Sequence, residues 1–302
     1  MLNVGRCLAL VLACVACSSS LLIAQRPKSF DVASVRQSTD QEPSSSLFPL
    51  GAGDAYRATG GRFRATNVSL LTYIAFAYKL TSSEQNQVEL QGPEWVWQGW
   101  DIEAKSDGTN ITKDDMREMM RSLLAERFRL KVHTESRSGR ILALELQHPG
   151  RTGPQLKEHD VAAPCSAADS TGGGSIPGRA EDGGALPVSC GGVAEHLRAS
   201  KPGYRRAGGR NISMALLTSS LTNMGELGVP VVDRTGLNGK YDFILEWVPR
   251  ATTDGAAAQN DADVSGPGFE DALADQLGLK LVHQTGSFDY MVLDHVERPT
   301  PN

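Results

Sequence analysis

Two stretches of the chain, separated by about 145 residues, have nearly the same sequence, and this repetition constrains the fold more than any other feature. They are LKVHTESRSGRILALEL at residues 130–146 and LKLVHQTGSFDYMVLDHV at residues 279–296. The residues before each stretch follow one order: a helix opened by Asn-x-Ser, a strand, and a second helix. A period this long is too great for a solenoid. The sequence therefore predicts an internal duplication, with one copy in residues 67–147 and the other in 211–297.

The predicted helices have recognisable beginnings and apolar faces. Ser69 and Ser213 stand where an N-cap is expected in the two Asn-x-Ser sequences. Thr112, followed three positions later by Asp115, predicts a capping box for the helix before residue 130. This helix has apolar residues at steps of three and four, and Gly278 ends the corresponding helix of the second copy.

Alternating residues predict the strands, and together with the helices they define the fold class. In residues 241–247, Tyr, Phe, Leu and Trp alternate with Asp242, Ile244 and Glu246, so that one face of the strand is expected to be aromatic and buried. Ser-Gly at 138–139 and Gly-Ser at 286–287 predict a hairpin turn between the last two strands of each copy. The expected architecture is α+β: two related halves, each with two helices packed on a mainly antiparallel sheet.

The predicted domain boundaries follow the repeat and the composition. Residues 25–148 form the N-terminal repeat and residues 211–302 the C-terminal repeat. Residues 149–210 between them are rich in Gly, Ser and Pro without a sustained period, and we expect a linker that contains a pair of cysteines.

Residues 1–24 predict export. Arg6 is followed by an apolar run that is interrupted by serines and lacks the roughly 20 unbroken apolar residues of a membrane span, so we interpret it as a signal peptide. The expected location is periplasmic or secreted. An alternative is a lipoprotein signal, with lipid attached to Cys14 or Cys17. No later segment is apolar enough to cross a bilayer.

Charge and cysteine content exclude several classes of partner. Removal of residues 1–24 takes only Arg6 from the 30 basic residues and none of the 35 acidic ones. The resulting mild acidity, with no basic stripe, argues against nucleic acid as a partner.

Cys165 and Cys190 remain after removal of residues 1–24, and an even number of cysteines in an oxidising compartment predicts one disulfide. Neither cysteine has a second ligand at metal-binding spacing, so we expect no metal and no cofactor.

The order of several motifs resembles a family of exported proteins of unknown function from Acidobacteria of the Solibacter type. The motifs span nearly the whole chain after residue 24. They are FDVASVR (30–36), GGRFRATNVSL (60–70), GPEW (92–95), WDIEAK (100–105), LLAERFRLKVH (123–133), VPVVDRTGLNGKYDFILEW (229–247), LADQLGLKL (273–281) and DHVERP (294–299). The resemblance implies an exported location and a shared fold, but it implies no catalytic residues.

Signatures of common enzyme classes are absent, and one pair of carboxylates is the candidate for catalysis. The chain has no His-Glu-x-x-His, Gly-x-Ser-x-Gly, Ser-x-x-Lys or Walker sequence. Asp101 and Asp242 correspond between the copies, and across a cleft they could act as general acid and base of a glycan hydrolase. The alternative for both is a place on the solvent face of a strand, or a capping role.

A tryptophan cluster is the candidate for ligand binding. Trp95 and Trp97 precede the strand that starts at Trp100, in a loop-like stretch where they could stack on a sugar or an apolar peptide. Core packing is the alternative for this pair, and Trp100 is expected in the core. We therefore expect a non-catalytic binding or interaction module of the cell envelope, with a cell-wall glycan or an envelope protein as partner.

Overall fold

The computed structural model describes residues 27–39, 43–54, 56–80, 82–162, 186–187, 190–250 and 265–299. The strands are β1 (Val32–Gln37), β2 (Ser45–Ser46), β3 (Arg62–Ser69), β4 (Gly99–Lys105), β5 (Lys131–Leu146), β6 (Leu156–Glu158), β7 (Gly192–Ala194), β8 (Arg205–Ser213), β9 (Val231–Asp233), β10 (Lys240–Trp247) and β11 (Leu279–His295). The helices are α1 (Leu70–Tyr78), α2 (Ser82–Gln91), α3 (Lys113–Arg127), α4 (Met214–Met224) and α5 (Phe269–Ala272). A 3₁₀ helix (Glu94–Trp97) precedes β4, and a π-helical turn (Leu273–Leu277) extends α5. The predicted α+β class is confirmed.

Two four-stranded antiparallel sheets form the outer parts of the molecule. Their strand orders are β1-β4-β3-β2 and β6-β10-β8-β7. In the first sheet β1 pairs with β4, and β2 pairs with β3. In the second sheet β6 pairs with β10, and β7 pairs with β8, which is the same order of pairing along the chain. Strands β6, β7 and most of β8 lie within residues 149–210. The segment expected to be a linker therefore contains strands. Strands β6 and β7 lie at the edges of the sheet and have three residues each, too few to show a period.

The helix ends agree with the sequence. Thr112 and Asp115 form the predicted capping box of α3. The hydroxyl oxygens of Ser69 and Ser213 accept hydrogen bonds from backbone N–H groups in the first turns of α1 and α4. Gly278 adopts a left-handed conformation, with φ of 69°, at the end of the π-helical turn.

A long two-stranded ribbon joins the two halves. The 16 residues of β5 and the 17 residues of β11 pair antiparallel along their whole length, from Leu279 opposite Leu146 to His295 opposite Lys131. Strand β9 adds to β5 in parallel, so the third sheet has the order β11-β5-β9. The predicted hairpin turns are therefore wrong. Gly139 and Gly286 face each other in the middle of the ribbon, and each strand continues through its glycine.

The described residues form two hydrophobic cores, and the ribbon contributes to both. The first core packs α1 and α3 on the first sheet, and it includes Met291 of β11. The second core packs α4 and the π-helical turn on the second sheet, and it includes Leu144 of β5. The first core thus contains a side chain of β11, which follows the helices of the second half. The second core contains a side chain of β5, which follows the helices of the first half.

Several predictions concern residues outside those described. Residues 1–24, with Cys14 and Cys17, lie outside them, so export and lipid attachment stay predictions. Cys165 also lies outside them, and its pairing with Cys190 stays a prediction. Cys190 itself is buried. Within the described ranges, every helix is too short or too polar to cross a membrane.

Candidate functional site

A cleft of about 350 Å³ lies where the two halves meet. Helix α2 of the first half contributes Glu84 and Gln87 to its wall, and α4 of the second half contributes one face that includes Thr218. Strand β9, and residues 287–289 of β11, complete the lining. A volume of this size is at the lower end of the range for small-molecule sites. The cleft is therefore the candidate functional site.

A side-chain clamp places α2 against the edge of β11. Gln91 Nε2 donates a hydrogen bond to Met291 O at 3.1 Å, and Leu293 N donates one to Gln91 Oε1 at 3.1 Å. Residues three and four apart lie on one face of a helix. Gln87 and Glu84 are therefore on the same side of α2 as Gln91, and both residues line the cleft.

The position of α4 results from its buried stripe. Met214, Leu217, Leu221 and Met224 are buried, and Thr218 lies among them. Only 5% of Thr218 is exposed. The stripe therefore fixes Thr218 in the lining of the cleft.

Two polar atoms of the cleft are buried without satisfied hydrogen bonds. Thr218 Oγ1 and Gln87 Oε1 have no partner among the described residues. A buried polar group without a partner costs about 1–3 kcal/mol of folding free energy. Most buried polar groups in native proteins are paired, so an unpaired one calls for an explanation. Both atoms belong to residues that line the cleft, so the two unpaired groups lie beside the same space.

Charged residues around the cleft are acidic. Glu84, Asp233 and Asp289 line it, and no Lys, Arg or His does so within the described part of the chain. Asp233 Oδ1 accepts hydrogen bonds from Thr235 N at 2.9 Å and Thr235 Oγ1 at 2.7 Å. These bonds fix one oxygen of the Asp233 carboxylate in the turn after β9.

The candidate catalytic carboxylate Asp101 has a structural role. Its Oδ1 accepts hydrogen bonds from Asn67 N at 2.9 Å and from the Ser38 hydroxyl, and its Oδ2 accepts one from Arg36 Nε at 2.9 Å. Burial raises the pKa of Asp101, but these three hydrogen bonds outweigh it and hold the pKa below its usual value. Asp101 is 6% exposed, so its predicted alternative place on the solvent face is wrong.

Asp242 occupies the corresponding position in the second sheet. Its Oδ1 accepts a hydrogen bond from Asn211 N at 2.7 Å, and it is hydrogen-bonded to His159 Nδ1 at 2.8 Å. Asn67 and Asn211 both have positive φ, 49° and 53°, at irregularities in strand pairing. A bulge leaves a backbone N–H unpaired in the ladder. Each aspartate satisfies that N–H, and neither residue lines the cleft.

The two candidate tryptophans differ in exposure. Trp95 is half-buried: its ring packs against Trp100 with 6.5 Å between centroids, and the Arg298 guanidinium lies 5.3 Å from its centroid. Trp97 is 54% exposed. Trp100 is buried, as predicted. Only Trp97 of the pair therefore offers most of its ring to a ligand, and neither Trp95 nor Trp97 lines the cleft.

Buried cations fix a loop of the first half against the second half. Arg117, 1% exposed, donates hydrogen bonds from Nη2 to Ala52 O and Gly53 O, both at 2.9 Å. Lys113 Nζ donates to Gly51 O at 2.9 Å. Asp54 N at the end of this loop donates to Gly191 O at 2.8 Å. The loop of residues 51–54 thereby connects α3 to the segment before β7.

Burial lowers the pKa of Lys113 to about 7. The positive charges of Arg117 and Lys79 contribute to this lowering of the pKa, whereas the negative charges of Asp54 and Asp114 oppose it. Lys79 forms ion pairs with Asp54 at 3.3 Å and with Asp114 at 2.9 Å. The loop is therefore surrounded by charges of both signs.

No metal centre is found in the described segments. They contain no group of three or more His, Cys, Asp or Glu side chains that could hold a metal ion.

Gln87 and Thr218 were not predicted as site residues from the sequence. One signal for Thr218 was present, because it interrupts an otherwise apolar helical stripe. No comparable signal marks Gln87, since α2 (SSEQNQVELQ) is polar on most sides. Its position depends on the pairing of Gln91 with β11, about 200 residues further along the chain.

Comparison with known proteins assigns the chain to a family. The model of a family described as "Protein of unknown function (DUF3738)" matches residues 71–296, which extend from α1 to the end of β11. No curated protein and no solved structure matches the chain. The predicted resemblance to a family of unknown function agrees with this match, while an origin in Acidobacteria stays a prediction. The chain belongs to the DUF3738 family of proteins of unknown function.

Proposed function

We propose that this protein is an exported, non-catalytic binding module of the cell envelope, and that the cleft between its halves holds the ligand. The observation that carries the proposal is the pair of buried, unsatisfied atoms, Thr218 Oγ1 and Gln87 Oε1, in one cleft. A cell-wall glycan fragment or a segment of an envelope protein supplies hydrogen-bonding groups of the kind these atoms need. Export rests on the composition of residues 1–24.

The cleft has the mixed lining that is usual for a binding site. Val231, Val232 and Phe288 are apolar, and Ser219 and Thr222 add hydroxyl groups beside Thr218. Apolar surface supplies affinity, and a few placed polar groups fix orientation. The exposed ring of Trp97 is a second proposed contact, separate from the cleft.

The corresponding bulges support the proposed duplication. Asn67 with Asp101, and Asn211 with Asp242, form the same backbone-to-carboxylate hydrogen bond, and each bulge is followed by a serine N-cap. The two outer sheets also have matching strand orders. We infer that the present cleft arose where two copies of one unit meet.

The glycan hydrolase alternative has no observation in its favour. The Asp101 carboxylate accepts three hydrogen bonds. The Asp242 carboxylate is hydrogen-bonded to the backbone of a bulge and to a buried histidine. A general acid or base needs an oxygen that can reach the substrate. Asp101 and Asp242 are therefore better explained as anchors of the strand irregularities.

Blocking the cleft tests the proposal. Ala215 lines the cleft and is exposed on α4, so Ala215→Trp fills the cleft without disturbing the core. In a thermal-shift screen of glycan fragments, peptides and amines, we expect at least one compound to raise the melting temperature of the wild type, because a ligand of the folded state stabilises it. Ala215→Trp should abolish that shift.

The control is Ala125→Trp, which places the same side chain on the exposed face of α3, away from the cleft. This variant should keep the full ligand-induced shift. Thr218→Val, which replaces the unpaired hydroxyl by a methyl group, should reduce the shift without blocking the space. A shift that survives in both cleft variants would place the binding site elsewhere.

A further inference from the structure

We propose that the cleft recognises a protonated amine carried by a small polar ligand. This inference rests on the proposed function, because it assigns the class of molecule that the same cleft binds. It depends on the charge of the lining, the hydrogen-bonding capacity of the two unsatisfied atoms, and the compensation of the charge of Arg137 on the neighbouring strand.

The charge of the lining favours a cation. Glu84 on α2, Asp233 on β9 and Asp289 on β11 approach from three different elements, so their charges surround the space. The described lining contains no side chain of opposite charge. Like charges facing a partly enclosed space attract a cation and repel phosphate or carboxylate groups. The cleft is therefore unsuited to an anionic ligand.

The unsatisfied atoms favour a ligand with hydrogen-bond donors. Gln87 Oε1 is a carbonyl oxygen and can only accept, and Thr218 Oγ1 can accept as well as donate. An ammonium group has three N–H donors and no acceptor. It therefore has as many donors as Gln87, Thr218 and one carboxylate of the lining could accept. A neutral hydroxyl has one donor and would satisfy only one of these acceptors.

Arg137 is a cation on the strand beside the cleft, and its charge is compensated. It lies opposite Phe288 in the ribbon, and its guanidinium stacks 3.4 Å from the ring centroid of Tyr290. Its Nε and Nη2 donate hydrogen bonds to Glu135 Oε2 at 3.0 and 2.9 Å. This pairing directs the guanidinium to Glu135 and leaves the acidic character of the cleft unchanged.

Matched pairs of small molecules test the inference. At about pH 6 the amino group of glucosamine carries a proton, and glucose is the matching sugar without an amino group. Cadaverine and 1,5-pentanediol form the same comparison on an aliphatic chain. In titration calorimetry of the purified protein at low salt, we expect each amine to bind at least about tenfold more tightly than its neutral partner. A preference for glucosamine over cadaverine would identify an amino sugar as the source of the amine, and the reverse preference an alkylamine.

Removing charge from the cleft should remove the preference. Glu84→Gln/Asp289→Asn keeps the shapes of both side chains, and we expect it to lower the ratio of glucosamine affinity to glucose affinity at least about fivefold. Asp275→Asn, an exposed carboxylate outside the cleft, is the matched control and should have no effect on either sugar. Added salt should weaken amine binding to the wild type.

The outcomes separate this inference from the proposed function. Equal affinity for glucose and glucosamine, both lost in Ala215→Trp, would overturn the amine preference and leave the cleft as the binding site. Amine binding that is unchanged in Ala215→Trp would overturn the site as well. Failure of both amines to bind the wild type at millimolar concentration would overturn the amine inference.

Discussion

Lys113 holds a titratable amine in a buried position at the start of α3. It is 4% exposed, and burial lowers its pKa from 10.5 to about 7. Below pH 7 the lysine is charged in both the folded and the unfolded chain, so the folded state carries the full cost of burying the charge. Between pH 7 and 10.5 the folded state is neutral while the unfolded state still binds a proton. The free energy of unfolding should therefore rise with pH across this range.

The variant Lys113→Met should remove this pH dependence. Across pH 7 to 10, we expect the wild type to gain stability relative to the variant by up to about 1.4 kcal/mol per pH unit. Urea unfolding at a series of pH values measures the difference. Lys131→Met removes an exposed lysine and controls for the loss of one charge. Parallel curves for wild type and Lys113→Met would show that the buried amine keeps its proton.

Residues that act within one turn of the chain were predictable, and those that act across the fold were not. The capping box of Thr112 and Asp115 needs only a spacing of three, and the sequence shows it. The role of Asp101 depends on Asn67, 34 residues away, and the position of Gln87 depends on the contact of Gln91 with a strand about 200 residues away. Sequence spacing does not contain such distances, so the sequence leaves a catalytic role open for a structural carboxylate and does not indicate Gln87 as a cleft residue.

At the scale of elements, the central ribbon shows how a local turn signal can be overruled. Ser-Gly and Gly-Ser commonly mark hairpins, but here the strands continue through Gly139 and Gly286 and pair with each other. Continuation lets β5 gain a partner along its whole length, whereas a local hairpin would pair only short segments. The strands themselves were predicted from alternation, but their partners required the register of the fold.

The loop of residues 51–54 gives a test at this scale. A Cβ on Gly53 would lie 2.3 Å from Gly191 O, a backbone atom that cannot move without displacing the segment before β7. Gly53→Ala should therefore lower the free energy of unfolding by about 1–3 kcal/mol, the usual cost of overpacking. A Cβ on Gly51 meets no atom within 4 Å among the described residues, so Gly51→Ala is the matched control. Equal urea midpoints for the two variants would show that the loop does not dock on Gly191.

At the scale of the molecule, the two halves are interdependent. Residues 25–148 were predicted as one repeat unit, but their core includes Met291, which is 8% exposed and belongs to β11. The second core includes Leu144 of β5 in return. Burying side chains of this size contributes about 1.5–3 kcal/mol each. Each half therefore depends on the other for part of its core and for the partner of its longest strand.

Separate expression of the halves tests this interdependence. We expect residues 25–148 and residues 149–302, each expressed alone, to lack cooperative thermal unfolding and dispersed amide signals in NMR spectra. Each fragment would expose a long strand without its ribbon partner and leave a gap in its core. Expressed together, the fragments should associate through β5 and β11 and recover a cooperative transition, since every ribbon pair joins one fragment to the other. A dispersed spectrum and a cooperative melt for either fragment alone would show instead that the half is an independent domain. The cleft between α2 and α4 would then lie between two separately stable units, and ligand binding would have to hold them together.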